Sequence, residues 1–144
     1  MPLVTRNNPK LTLEGARVVL AAAEKRALEI NVPMDIAVVD DGGHLISFER
    51  MDGARPSSIA ISLVKAQAAA LRRSPTAPAM AGDQVNLPLA LGLALANPAA
   101  QTPIRGGVPL IVDGQVIGAV GVSAGSEDQD LDVARAGAAA IEKA

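Results

Sequence analysis

The stretch RGGVPLIVDGQVIGAVGVS, Arg105 to Ser123, decides the fold. Two apolar runs, Val108 to Val112 and Gln115 to Val122, are separated only by Asp113-Gly114. A two-residue Asp-Gly loop predicts a β-hairpin, because its turn needs residues that tolerate positive φ and then matches the twist of the strands. Gly118 and Gly121 within the second run predict close approach by another segment or a ligand.

Upstream, MDIAVVDDGGHLISFER, Met34 to Arg50, reads the same way. Ile36 to Val39 is apolar on both faces, as a doubly covered strand requires. Asp40-Asp41-Gly42-Gly43 is a turn signal. Strict alternation would place His44, Ile46, Phe48 and Arg50 on one face of the return strand and Leu45, Ser47 and Glu49 on the other.

Helices fill the intervals. Thr12 caps a helix whose apolar stripe is Leu13, Ala16, Leu20, Ala23, Ala27 and Ile30, ended by Asn31 and Pro33. Pro56 opens a second helix with the stripe Ile59, Leu63, Ala66 and Ala70, stopped by Ser74-Pro75. Pro88 to Ala96 predicts a short, mostly buried helix between loops at 74–86 and 97–107. Ser126 with Gln129 forms a capping box for a last helix, with Leu131, Ala134, Ala138 and Ile141 on its buried side. The order is α-β-β-α-(α)-β-β-α, an α+β antiparallel fold in one domain spanning 1–144. Residues 1–10 read as a loosely ordered leader.

Composition excludes several functions. The chain has 144 residues, formal charge −2, one Phe, no Tyr and no Trp. Phe48 alone cannot form a stacking platform for single-stranded nucleic acid, and there is no basic stripe for DNA. Without cysteine there are no disulfides, thiolate metal sites or thiol nucleophiles. A single histidine rules out the usual multi-histidine metal site in one copy. The longest apolar run, Leu87 to Ala100, is too short to span a bilayer. A cytoplasmic protein without nucleic-acid or membrane partners is the expectation.

Few side chains remain for chemistry. His44 follows the Gly-Gly turn and could move a proton or ligate iron. Arg50, Asp52 and Arg55 lie where a strand runs into a helix N-terminus, a place that favours anions. Lys65 sits in an apolar helix, either snorkelling or facing a pocket. Arg105, Gly106 and Gly107 offer a cation and two backbone amides. Glu127, Asp128, Asp130 and Asp132 crowd the start of the last helix, where the dipole favours acids and where a base or cation site is the alternative.

Taken together, GHLISFERMDGARPSSI (Gly43 to Ile59), Lys65-Ala66, RGGVPLIVDGQVIGAVGVS and EDQD (Glu127 to Asp130) resemble the GlcG/HbpS-like family, which includes the C-terminal domain of PduO-type proteins. The resemblance runs from about residue 10 to 142. It implies a profilin- or PAS-like fold with a five-stranded antiparallel sheet, its fifth strand near Gln101 to Arg105. It also implies homo-oligomers (dimers, tetramers or octamers) and a haem-binding or haem-degrading label. A cation-rich site with one aromatic favours a small anionic ligand over a porphyrin. The leading expectation is therefore a cofactor-free tautomerase or isomerase acting on an unsaturated hydroxy- or keto-carboxylate. His44, Asp52 or Glu127 would move the proton. Arg50, Arg55, Lys65, Arg105 and the Gly106 and Gly107 amides would hold substrate and oxyanion. The alternatives are a haem-handling protein with His44 on the iron, and a non-catalytic oligomeric sensor or assembly subunit.

Overall fold

A computed structural model describes residues 1–143. The elements are α1 (Leu13–Glu29), β1 (Asp35–Asp40), β2 (Leu45–Arg50), α2 (Ser58–Arg72), β3 (Met80–Ala81), β4 (Gln84–Val85), α3 (Leu87–Ala96), β5 (Gly107–Val112), β6 (Gln115–Ser123) and α4 (Glu127–Ile141). Four strands form one antiparallel sheet in the order β2-β1-β6-β5, and β3 and β4 form a separate small ribbon. The α+β class and element order agree with the sequence reading. The fifth strand expected at 101–105 does not form. Pro103 has no N–H to give a ladder, and the Ile104 amide turns back to Thr102 Oγ1 at 3.2 Å.

The β5–β6 hairpin closes as the Asp-Gly pair requires. Asp113 has φ 51° and Gly114 φ 74°, and Val112 pairs with Gln115. The β1–β2 hairpin departs from strict alternation. Val38 pairs with Ser47 and Val39 with Leu45, so Ile46 is bulged out of the ladder. The bulge turns Ile46 toward the core formed with α1 and α4, while Phe48 stays beside α2.

The two sheet faces are packed differently. Helices α1 and α4 cover one with a core of Val19, Leu20, Met34, Ile36, Val38, Leu110, Val120, Val122, Val133 and Ile141. Each fully buried aliphatic side chain there contributes about 1.5–3 kcal/mol. The other face receives α2 through Ala37, Val39, Ala66, Ala69, Ala70 and Ala119. The small residues are a steric necessity. A Cβ on Gly121 would fall on the Ser62 carbonyl and the Ala66 amide, and one on Gly107 on the Lys65 carbonyl. The expected α2 stripe is thus rotated: Ser62, Lys65, Ala66 and Ala69 face inward, and Ile59 stays exposed.

The expectation for α3 is reversed. The helix forms, capped by Asn86, whose side chain accepts from the Leu89 amide, yet only Ala90 is buried. Among the described residues no helix is long and apolar enough to cross a membrane. Residues 10 and 11 are tied to the body: Lys10 Nζ lies 2.7 Å from Asp41 Oδ2, and Leu11 packs against the larger core.

Candidate functional site

Antiparallel order puts the start of β1, the ends of β2 and β6 and the start of β5 at one end of the sheet. Most of the charged candidates gather there. Lys65 is fully buried; its Nζ lies 2.8 Å from Asp130 Oδ2 and donates to the Val122 carbonyl at 2.9 Å. Asp130 Oδ1 accepts from the Gly125 amide at 2.9 Å. Burial pushes the Asp130 carboxyl up, against the opposing pull of the Lys65 ammonium and that amide. Arg55 donates to the Ala124 carbonyl at 3.0 Å, and the Arg105 amide to Glu127 Oε1 at 2.9 Å. These contacts close the fold. Lys65 neither snorkels nor faces a pocket, because burial in an apolar helix demands its Asp130 partner. The Gly107 amide is taken by Thr76 Oγ1 at 3.0 Å, so it is not a free oxyanion donor. The acidic cluster is divided as well: Asp130 serves Lys65, Glu127 the Arg105 backbone, and Asp132 the Arg26 guanidinium at 3.0 Å.

The two arginines expected to clamp one carboxylate are separated. Arg50 ends edge strand β2, and Arg105 precedes the opposite edge, three strand spacings or roughly 14 Å away. Arg50 and Asp52 instead line a cavity of about 370 Å³ with Glu24, Leu28, Glu49 and Met51. Burial, and then the neighbouring Glu24, push Glu49 up to about 7. Behind Arg50 in the sheet, Asp35 is fully buried and neither carboxylate oxygen has a partner. Burial pushes it up as well, offset in part by the positive charges of Arg50 and Arg55.

His44 lies at the far end of β2 from Arg50, roughly 20 Å along the strand. It cannot share a reaction centre with Arg50, Asp52 or Glu127 in one copy. Its Nδ1 stands 3.2 Å from Asp40 Oδ1, and 82% of its side chain is exposed. The same Asp40 oxygen accepts from the Gly42 and His44 amides at 2.9 Å each. Burial alone would raise the Asp40 carboxyl; those amides and the imidazole outweigh it and hold the group below the usual carboxylate range. Gly42 leaves room for this contact, since a Cβ there would push the imidazole aside. Arg73, in the left-handed conformation after α2, donates to the Asp41 carbonyl at 2.9 Å. Lys10, Asp41 and Arg73 then line a cavity of about 540 Å³ with Pro9, Ile111 and Val116. Leu71 of α2 lies against Gly43 of the turn, and both it and Leu45, the first residue of β2, are exposed.

Asp40, Lys10 and Arg73 were not singled out by the sequence reading. Asp40 had a signal, four residues before the lone histidine across a Gly-Gly turn. Lys10 and Arg73 had none, because only the fold brings the N-terminal segment and the end of α2 to that turn.

Comparison with known proteins supplies the frame for these features. The family model described as "Haem degrading protein HbpS-like" matches residues 11–139. Protein GlcG of Escherichia coli K12 is 42% identical over 113 residues, covering 78% of this chain and 81% of the relative. A 15.0 kDa protein of Citrobacter freundii from the dhaT-dhaS intergenic region is 43% identical over 120 residues, with 83% and 84% covered. Among solved structures, HbpS superposes with TM-score 0.75 at 33% identity, covering 94% of this chain and 92% of its own. A PduOC:haem complex superposes with TM-score 0.80 at 28% identity, covering 92% and 96%.

These findings overturn the tautomerase expectation. The matching family model is described as haem-degrading and one solved relative is a haem complex, whereas the residues chosen to hold a small carboxylate are dispersed or engaged in the fold. From the hairpin pair through the capping box, the chain belongs to the HbpS-like family of haem-degrading proteins.

Proposed function

We propose that the protein binds and handles haem, with His44 as its ligand to the iron. The observation that carries this reading is the orientation of the imidazole by Asp40. With Nδ1–H donated to Asp40, Nε2 keeps its lone pair, the usual arrangement of a metal-ligating histidine with a carboxylate behind it. The donor set fits haem in two further respects. Lys10 and Arg73, in the cavity that starts at the same turn, are cations suited to the two propionates. Leu45 and Leu71 leave exposed aliphatic surface near the same turn, where the chain has no aromatic to give. Bound haem supplies a redox-active iron; the chain's own residues supply its anchor, its charge balance and its apolar contact. The solved haem complex of a 28% identical relative supports the reading.

A haemin titration followed by absorbance tests it. Wild type should bind saturably with a shifted Soret band, and His44→Ala should bind at least tenfold more weakly. Asp40→Asn, which loosens the imidazole, should fall between them. Weak, non-saturating binding that is indifferent to His44 would sink the proposal.

A further inference from the structure

The turn that carries His44 rests on helix α2. Gly43 is buried, and a Cβ on it would lie 3.6 Å from Leu71 and 3.7 Å from Gln67. Those two residues are four apart, so they stand one above the other on the helix surface that meets the turn. Gln67 is out of character with its neighbours, since Ala66, Ala68, Ala69 and Ala70 are all buried. A polar side chain in such a run needs a partner. Gln67 Nε2 donates to the Gly43 carbonyl at 3.2 Å. That carbonyl belongs to the same planar peptide unit as the His44 N–H, which donates to Asp40 Oδ1 at 2.9 Å. The unit before the histidine is thus held at both ends, by α2 at the carbonyl and by Asp40 at the amide. The same Asp40 oxygen stands 3.2 Å from the imidazole Nδ1.

We infer that Gln67 is a positioning residue for His44, acting through the Gly43–His44 peptide unit. As a statement about iron ligation this rests on the haem reading; as a statement about the imidazole it stands without it. The unit needs a tether because Gly43, at φ 82°, has no Cβ to restrict rotation on its side. With the carbonyl released, the unit can swing, carrying the His44 amide off Asp40 and the ring with it. Accepting a bond at the carbonyl also polarises the unit and strengthens its N–H as a donor to Asp40. Arg73 is no substitute, since it holds the Asp41 carbonyl, two peptide units earlier.

Nitrogen NMR and haemin binding on the full chain test the assignment. The protein has one histidine, so its two ring nitrogens are read without ambiguity. In mildly alkaline solution, where an imidazole is neutral, wild type should show one tautomer with its proton on Nδ1. Gln67→Ala, at home in an alanine-rich helix, should show a mixture of both tautomers. Gln67→Glu, similar in shape but without the N–H donors, should do the same. Gln67→Ala should also bind haemin about three- to tenfold more weakly, with a broadened Soret band. Thr12→Ala, which removes the cap of α1, lowers stability elsewhere and should leave both readouts unchanged. A wild-type tautomer in both Gln67 variants would overturn the inference, as would the same mixture in Thr12→Ala. Haemin binding that needs His44 but is indifferent to Gln67 would overturn it too. If haemin binds no form of the protein, the haem reading falls and the tautomer alone decides the role of Gln67.

Discussion

Asp35 is the residue whose chemistry is least balanced by its surroundings. Among the described residues its fully buried carboxylate accepts no hydrogen bond, and the positive charges of Arg50 and Arg55 compensate it only in part. Ionising it in the folded state is unfavourable. Asp35→Asn should therefore stabilise the protein by about 1 kcal/mol at pH 8 and have little effect near pH 4, read from thermal melts. Equal effects at both values would show that shape rather than charge matters there. Glu49 behaves in the same sense. Its folded-state pKa, about 7, lies above its ordinary 4.5, so the folded protein holds the proton more tightly than the unfolded chain. That stability is present in full below pH 4.5 and is lost as pH rises through 7. Melting temperature should fall by a few degrees between pH 5 and 8 at this half-open site, and Glu49→Gln should flatten the slope. None of this was legible in the letters, because burial rather than residue type sets both groups, and burial is a property of the assembled sheet.

At the scale of elements, the decisive contacts are those between backbones. Helix α2 lies so close to β5 and β6 that the strands carry glycine where the helix crosses. Gly121→Ala should lift α2 and cost about 2–3 kcal/mol in urea unfolding, with α1 and α4 unaffected in position. Both glycines in the second strand of the Asp-Gly hairpin were read correctly as marks of close approach. What approached Gly121 was α2; a Cβ on Gly118 would meet the Val39 carbonyl and Leu11. The caps were equally legible: Thr12 accepts from Gly15, and Ser126 with Gln129 closes a full capping box. Strand faces were less so. A one-residue bulge at Ile46 defeats a period of two, and no sequence signal near it announces the slip.

At the scale of the whole molecule, the Lys65–Asp130 pair joins the two layers, tying α2 on one face to α4 on the other past the end of β6. Its isolated partners are costly. Lys65→Met should lower stability by about 3–5 kcal/mol by stranding Asp130, and Asp130→Asn in the same chain should recover part of the loss while keeping an acceptor for the Gly125 amide. Chemical denaturation of the single and double variants checks the coupling. The haem reading belongs to this scale too. It needs an imidazole from one hairpin, a cation from the N-terminal segment and another from the end of α2 to meet at one turn.

By itself the sequence determined the class, the element order, the hairpin turns, the caps and the family, because these depend on near neighbours: a φ sign, a capping hydroxyl, an apolar period. Only the tertiary structure decided which candidates stand together. It sent His44 and Arg50 to opposite ends of one strand and Arg50 and Arg105 to opposite edges of one sheet. It buried Lys65 against Asp130, and it left the most apolar helix of the chain outside this copy's core. Those outcomes rest on strand order and on the distance between backbones, which arise when distant segments pack and which a local pattern of residues does not contain.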